Sequence, residues 1–289
     1  MVNAARAKSI HAELLTWAAA HSMRASSTRL QAVALSMTAM CPDSGERTLV
    51  QCGRLGAIIL EIDDVMDISA GDPTLLAECR AIALGRRLFY PLTPNPHIVV
   101  ALEELCNEID SSHFRRCFAD CMTGMSVEYG QRQEFLRSGK VPAYAEYLAW
   151  AVSTISTTAL WAAVGALDGY PARAEHELRG AVCETGSLCV RLANDLRGFR
   201  RELAEGKPNA VLIQMHEAGV AEERARELVD AERRKHYREL SGLVSALSAG
   251  LSGWGQSVLR FCDFVTAWYE VAELSVIPAE VEEALDREP

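Results

Sequence analysis

Two stretches of this chain carry oxygen donors at spacings that suit a hard cation. Within Leu188–Val211, residues Asn194, Gly198 and Glu202 fall at i, i+4 and i+8. On a helix that spacing drifts only ~80° around the axis and ~12 Å along it, so an amide oxygen and a carboxylate face one way across the gap left by Gly198. Arg191 and Arg201 fall on the same face or its edge. Mg2+ takes oxygen donors and keeps water or substrate phosphate in its shell, so the layout suits a divalent metal carrying an anionic ligand such as a phosphate. Taken alone, such a pattern is more often the solvated face of a mixed-charge helix.

The second stretch is Glu61-Ile62-Asp63-Asp64-Val65-Met66-Asp67, which follows the apolar run Leu55–Leu60. Asp63 and Asp67 share a helical face, and Asp64 stands beside them. Carboxylates gathered at the end of a buried segment repel one another unless a cation neutralises them. The competing reading is a helix C-terminus dissolving into the polar loop Ser69-Ala70-Gly71-Asp72-Pro73.

Together the two stretches resemble the class I terpene synthases. Asp63-Asp64-Val65-Met66-Asp67 matches the family's D-D-x-x-D motif, and Asn194, Asp195, Gly198, Arg201 and Glu202 match its (N/D)-D-x-x-(S/T/G)-x-x-(K/R)-E motif, in the family's order. The N-D-L-R-G variant and the segment P-A-Y-A-E-Y-L-A-W-A-V-S-T-I-S at 142–156 look like bacterial ent-kaurene synthase and related labdane-type diterpene synthases. The resemblance implies an all-α bundle around a central pocket, with Asp63, Asp64, Asp67, Asn194, Gly198 and Glu202 as the metal site for three Mg2+ ions. A water would complete the shell where Gly198 replaces Ser or Thr. It further implies a prenyl diphosphate substrate, C20 (copalyl-type or geranylgeranyl) in preference to C15 farnesyl diphosphate, which ionises and rearranges as a shielded carbocation. Arg191 and Arg201 are the expected diphosphate-binding cations. Near the C-terminus the family's aromatic-flanked Arg-Tyr pair is matched only in part, so Arg260 (six residues after Trp254) and Tyr269 (after Trp268) stand as alternatives. The family's diphosphate-sensing arginine ahead of the central helix break is replaced by Val152.

Composition is consistent with a chain that buries a large core. Of 289 residues 49% are hydrophobic, and 29 basic against 39 acidic residues give a net charge of −10. That balance argues against nucleic acid or an anionic membrane as a partner. Nine cysteines without C-x-x-C spacing read as reduced, mostly buried thiols. With no apolar run long enough for a membrane span, the expectation is a soluble, cytoplasmic protein; a homodimer is compatible with the resemblance.

The chain gives helix signals throughout and no period-2 strand. Helices are expected over 4–20, from Ser26 to Met40, from Thr48 through the aspartates, over 75–88, 99–109, 114–138, 142–168 and 173–205, after Pro208, near 221–249 and over 254–276. About ten helices in one domain spanning residues 1–289 follow. Segment 142–168 is apolar on nearly all sides and should be central, and the hydroxyls Ser153 to Thr158 at its middle predict a local break. At that break Ser156 is expected to face the pocket. Trp150, Trp161 and Phe89 are candidate aromatic walls for a cation, although each singly reads as ordinary core packing.

Other readings remain. A chain-elongating prenyl diphosphate synthase would carry a second D-D-x-x-D and an arginine pair after the first, where this chain has Ile68-Ser69-Ala70-Gly71. A class II cyclase is disfavoured because Glu61-Ile62-Asp63-Asp64 only approximates D-x-D-D. A non-catalytic helical scaffold whose acidic patches bind a partner is the alternative from a different class.

Overall fold

The computed structural model describes residues 3–68, 71–171, 175–274, 276–279 and 281, and among the described residues it contains helices and turns but no strand. In chain order they are α1 (Ala4–Ala20), α2 (Ser27–Met40), α3 (Glu46–Asp67), α4 (Pro73–Ala83), α5 (Pro96–Ile109), α6 (Ser112–Ser138), α7 (Tyr144–Thr154), α8 (Thr157–Leu167), α9 (His176–Ala204), α10 (Ala210–Ala218), α11 (Glu222–Ala246) and α12 (Ala249–Val271). Local chemistry sets many of these limits. Asn3, Ser26, Asp72, Ser111 and Asn209 each accept a first-turn N–H at an N-cap, satisfying donors the helix itself cannot. Gly139 and Gly219 end α6 and α10 in the left-handed region.

Several boundaries differ from the sequence expectation: the last helix runs Ala249–Val271 and not over 254–276, α5 starts at Pro96 and not at 99, and two further differences have a clear local cause. The helix predicted over 75–88 stops at Ala83, because Gly85 (φ +77°) closes a Schellman turn in which Arg86 N–H donates to Ala81 O and Gly85 N–H to Ile82 O. The segment expected as one broken helix over 142–168 is two helices, which brings the count to twelve among the described residues. Ser156, at φ +62° and ψ 1°, separates α7 from α8. Two other expectations fall partly outside the described residues: Ser69 and Ala70 of the polar loop, and positions 173 and 174 at the start of the predicted metal-bearing helix.

The largest apolar cluster draws on every helix except α7 and α10. A second cluster joins α7, α10 and the first half of α11 to Leu192 and Phe199 of α9. Helix α9 therefore spans both, packing against α11 and α12 along its length. Helix α8 runs through the centre, where Trp161 is fully buried and its carbonyl accepts the Trp254 indole N–H at 3.0 Å. Segment 144–167 is long and apolar enough to cross a membrane by length and composition, but 67% of its most apolar stretch is buried in the fold. All nine cysteines are free thiols.

Close packing at α8–α9–α12 depends on Gly186. A Cβ there would lie 2.8 Å from Trp161 Cη2 and 3.1 Å from Val258 Cγ1, and neither buried group has room to retreat. Gly186→Ala is therefore expected to destabilise the protein by about 1–3 kcal/mol through overpacking. Gly242→Ala, in α11 where a Cβ meets nothing within 4 Å, is expected to stabilise by up to about 1 kcal/mol. Urea unfolding followed by circular dichroism measures both, and equal effects would contradict this account.

Candidate active site

The acids of α3 are delivered by a helix whose end is held from outside. Arg132 of α6 donates from Nη1 to the carbonyl oxygens of Met66 and Asp67, both at 3.1 Å, placing a cation at the negative pole of α3. One turn and a half earlier, buried Glu61 accepts Arg24 N–H at 2.8 Å and contacts His97 Nε2 at 2.7 Å, which fixes the rotation of the helix. Asp63 then opens into a cleft. The cleft's walls, and next the Asp67 charge, raise its carboxyl to about 7, while Lys207 opposes the rise. Asp67 pairs with Lys207, and Asp64 pairs with Arg29 of α2. Burial alone would lower Lys207, but Asp67 and Asp63 outweigh it and hold the ammonium protonated.

The opposing wall is α9, and its anchor is Asp195. This carboxylate is fully buried and takes hydrogen bonds from the Tyr147 hydroxyl of α7, from Arg191 Nε at 2.9 Å and from Ala210 N–H of α10 at 3.0 Å. Burial pushes the Asp195 carboxyl up, and the three donors counter it. Arg191 reaches further, to the Tyr147 hydroxyl at 2.8 Å, Thr154 Oγ1 at 2.9 Å and Glu128 Oε1 at 3.1 Å. Asn209 binds the same wall: its Nδ2 donates to Glu202 Oε2 at 2.9 Å and to Asp195 O at 3.2 Å while its Oδ1 caps α10. Helix α9 ends in a second Schellman turn, with Gly206 at φ +70° and Lys207 N–H donating to Glu202 O. That turn swings Lys207 back across the cleft to Asp67.

Asn194, Gly198, Arg197, Arg201 and Tyr269 face Asp63, Asp64 and Asp67 across one cavity of about 310 Å³. Tyr269 is buried beside Asn194, and burial raises its phenol to about 12. Glu202 is nearly buried, and burial followed by the Asp195 charge raises its carboxyl to about 7. A Cβ at Gly198 would lie 2.7 Å from Glu202 Oε1; the carboxylate occupies the space a Ser or Thr would take. Arg201 is pinned between Glu202, Glu205 and Glu273.

Below this polar mouth lies an apolar cavity of about 110 Å³, lined among others by Met37, Ile59, Ile155, Ser156, Leu160 and Phe261. Arg29, Leu60 and Leu274 line both cavities, so acids sit above and apolar walls below. The break brings Ser156 to the lower cavity, with its hydroxyl held by Cys121 Sγ at 2.8 Å and donating to Thr154 O at 3.2 Å.

Six candidate site residues named from sequence line neither cavity: Arg191 and Glu202 are buried in the α9 network described above, and four others sit elsewhere. Phe89 is 91% exposed on the α4–α5 loop, because the Gly85 turn ended the helix that would have carried it inward. Trp161 packs edge-on to Phe261 and against Gly186 within the core, behind the cavity wall. Trp150 stands edge-on to Tyr147 in a small crevice with Asp63, Asp67 and Glu128, beside the acids and not in the apolar cavity. Arg260 donates to Met40 O and lies nine residues before Tyr269 on α12, about 13 Å down the helix, so of the two C-terminal alternatives only Tyr269 reaches the cleft. Sequence reasoning did not assign Arg29, Glu128, Lys207, Asn209 or Phe261. Lys207 and Asn209 had a signal in Gly206-Lys207-Pro208-Asn209, a helix stop followed by a cap; Arg29 and Glu128 had none, since they reach the site only through tertiary packing.

The donors fit a hard divalent ion. Asp63 in the cleft and Glu202, buried behind the opposite wall, each sit in surroundings that disfavour their ionised forms, which a nearby cation would reverse. Among the described residues no three acidic, histidine or cysteine side chains converge on one point. Each wall therefore offers only part of a coordination shell, and oxygens of a bound ligand would complete it.

Solved structures share this architecture. A linalool/nerolidol synthase from Streptomyces clavuligerus aligns with a TM-score of 0.74 at 22% identity over 91% of this chain and 95% of its own; the same enzyme in complex with 2-fluorogeranyl diphosphate gives 0.76 at 21%, over 91% and 98%. A structure titled "Hedycaryol apo" gives 0.70 at 18%, over 92% and 94%. No curated protein matches the chain significantly in sequence. The family model described as terpene synthase family 2, C-terminal metal binding, matches residues 54–239, which takes in both acidic motifs and most of the chain, so the protein belongs to that family and is a terpene synthase with the class I isoprenoid synthase fold.

Proposed function

We propose that the chain is a class I diterpene synthase that ionises a C20 prenyl diphosphate, copalyl-type or geranylgeranyl, and releases diphosphate and a rearranged hydrocarbon or alcohol. The observation that carries the ionisation reading is the stacking of an acid-lined mouth directly over an apolar cavity, with Arg29, Leu60 and Leu274 common to both. Support for C20 comes from the resemblance of the N-D-L-R-G stretch and of residues 142–156 to the ent-kaurene synthase group. The small apolar cavity, about 110 Å³, favours a second reading, C15 farnesyl diphosphate. Turnover of a panel of C10, C15 and C20 diphosphates with Mg2+, with product analysis, decides between them: a clear preference for farnesyl diphosphate would make this a sesquiterpene synthase.

In this reading Asp63 and Asp67 on one wall and Asn194 and Glu202 on the other would hold the metal, with Asp64 beside them; the water expected at Gly198 has no room, because Glu202 Oε1 fills that space. Bound there, Mg2+ ions, three by the resemblance, supply Lewis acidity that stabilises the departing diphosphate. The chain's own residues do the rest. Arg201 and Tyr269 orient the diphosphate at the mouth, and Lys207 and Arg29 compensate the aspartates. Arg191, fully committed to Asp195, Tyr147, Thr154 and Glu128, acts by positioning α9. The apolar floor excludes water, and the Phe261 ring offers a π-face to positive charge.

Two predictions separate chemistry from architecture. Asp63→Ala, Asn194→Ala and Glu202→Ala should each lower kcat by at least about a hundredfold with the helical circular dichroism spectrum unchanged, since an interaction worth ~2.7 kcal/mol in the transition state corresponds to that factor. Asp195→Ala instead strands Arg191 in the core and should cost about 3–5 kcal/mol of stability, read as a fall in the urea midpoint; near wild-type rates in the Asn194 and Glu202 variants would remove the basis of the assignment. The second prediction concerns the break. Ser156→Ala removes the hydroxyl that ties the break to Thr154 O and Cys121, and it should change the product ratio while diphosphate release continues; ~1.4 kcal/mol between competing barriers changes a ratio tenfold. An unchanged product mixture would make the hydroxyl purely structural.

A further inference from the structure

Beyond the mouth, on the outer side of Tyr269, α9, α11 and α12 enclose a second polar groove of about 340 Å³. Arg197, Arg226, Arg233 and Arg234 line it, against the carboxylates of Asp230 and Glu270. Arg197 and Tyr269 line both this groove and the acidic cleft, so the two are one side chain apart. We propose that the groove is a second, metal-independent binding site for a diphosphate group; this rests on the reading of the cleft as the place where a diphosphate is released.

Three observations carry it. First, the groove concentrates guanidinium groups on a chain whose net charge is −10, and a trianionic leaving group is repelled by such a field unless positive charge is local. Arginine presents a planar fork that matches phosphate oxygens, and it does so without a metal. Second, the positive charge is only partly spent. Asp230 is shared between Arg233, at 2.7 Å, and Arg234, at 2.5 Å, and Arg226 pairs with Glu222 and donates to Leu196 O. Arg197 has no hydrogen-bond or ion-pair partner among the described residues. Third, Thr266 lines the groove with a buried hydroxyl that has no partner among the described residues, a donor whose cost is recovered only when an acceptor arrives.

The two sites differ in what they need. The cleft presents carboxylates and can hold a diphosphate only with metal; the groove presents cations and needs none. A diphosphate leaving the metals would pass Tyr269 and Arg197 and be held at the groove, delaying its return to the carbocation.

Isothermal titration of the full chain in EDTA tests this. Inorganic diphosphate should bind with one-to-one stoichiometry in the absence of metal. Arg197→Ala/Arg234→Ala should weaken it at least tenfold, while Asp63→Ala/Asn194→Ala should leave it unchanged. Titration with geranylgeranyl diphosphate under the same conditions distinguishes the source. Comparable affinity identifies the released leaving group, and clearly tighter binding identifies a waiting substrate. In the presence of Mg2+, Arg234→Ala alone, which lies outside the cleft, should raise the inhibition constant for inorganic diphosphate several-fold with kcat unchanged. Absence of saturable binding in EDTA, undiminished binding in the double arginine variant, or loss of binding in Asp63→Ala/Asn194→Ala would overturn the proposal. None of the EDTA titrations requires turnover, so an inactive enzyme would defeat the proposed function and leave their outcome standing.

Discussion

The site depends on one buried negative charge. Asp195 has no exposed surface, and a carboxylate in that position costs several kcal/mol unless donors surround it. Its donors come from α7, α9 and α10, so satisfying the charge docks three helices at once. Arg191 then transmits that docking to Thr154, the last residue of α7, and to Glu128 of α6. The wall that carries Asn194 and Glu202 is therefore set by a neighbour in sequence that never faces the cleft. The second acidic motif mixes two placements: Asn194 lines the cleft, while Asp195 and Glu202 are buried and hydrogen-bonded to the start of α10 and to Asn209.

On the other wall the fold gathers acids that repel one another and then tempers them with single cations. Lys207 reaches Asp67 from the turn after α9, and Arg29 reaches Asp64 from α2. Asp63 has no ion-pair partner among the described residues, and of the three aspartates its carboxyl is the one raised, to about 7. A doubly charged ion would compete with Lys207 and Arg29 for the same aspartates, and without one these two side chains offset part of the acids' mutual repulsion.

Much of this was legible in the chain itself. Helical periodicity and the hydroxyl cluster at 153–158 depend on local chemistry and correspond to α9 and the α7–α8 break; of the residues at i, i+4 and i+8, Asn194 and Gly198 line the cleft and Glu202 is buried behind it. Phe89 failed because a glycine two residues beyond the last helical residue closed a turn earlier than apolar spacing suggested. Arg260 failed because motif spacing fixes a position along a helix but not which level of the bundle it meets. Trp161 failed for a similar reason, since an all-apolar helix gives no clue to which side adjoins a cavity. Arg29, Glu128 and Phe261 depend on contacts between distant segments, and no window of sequence contains that information.

The break also sets what lies next to a reactive electrophile. Cys121 is fully buried, its sulfur is 2.8 Å from Ser156 Oγ, and burial pushes its thiol up to about 12. A thiolate is the nucleophilic form of cysteine, and at neutral pH this residue is almost entirely protonated. A neutral sulfur still offers a lone pair, however. Ser156 lines the apolar cavity and Cys121 does not, so what would keep an allylic cation from the sulfur is the Ser156 side chain in front of it and not the thiol's proton.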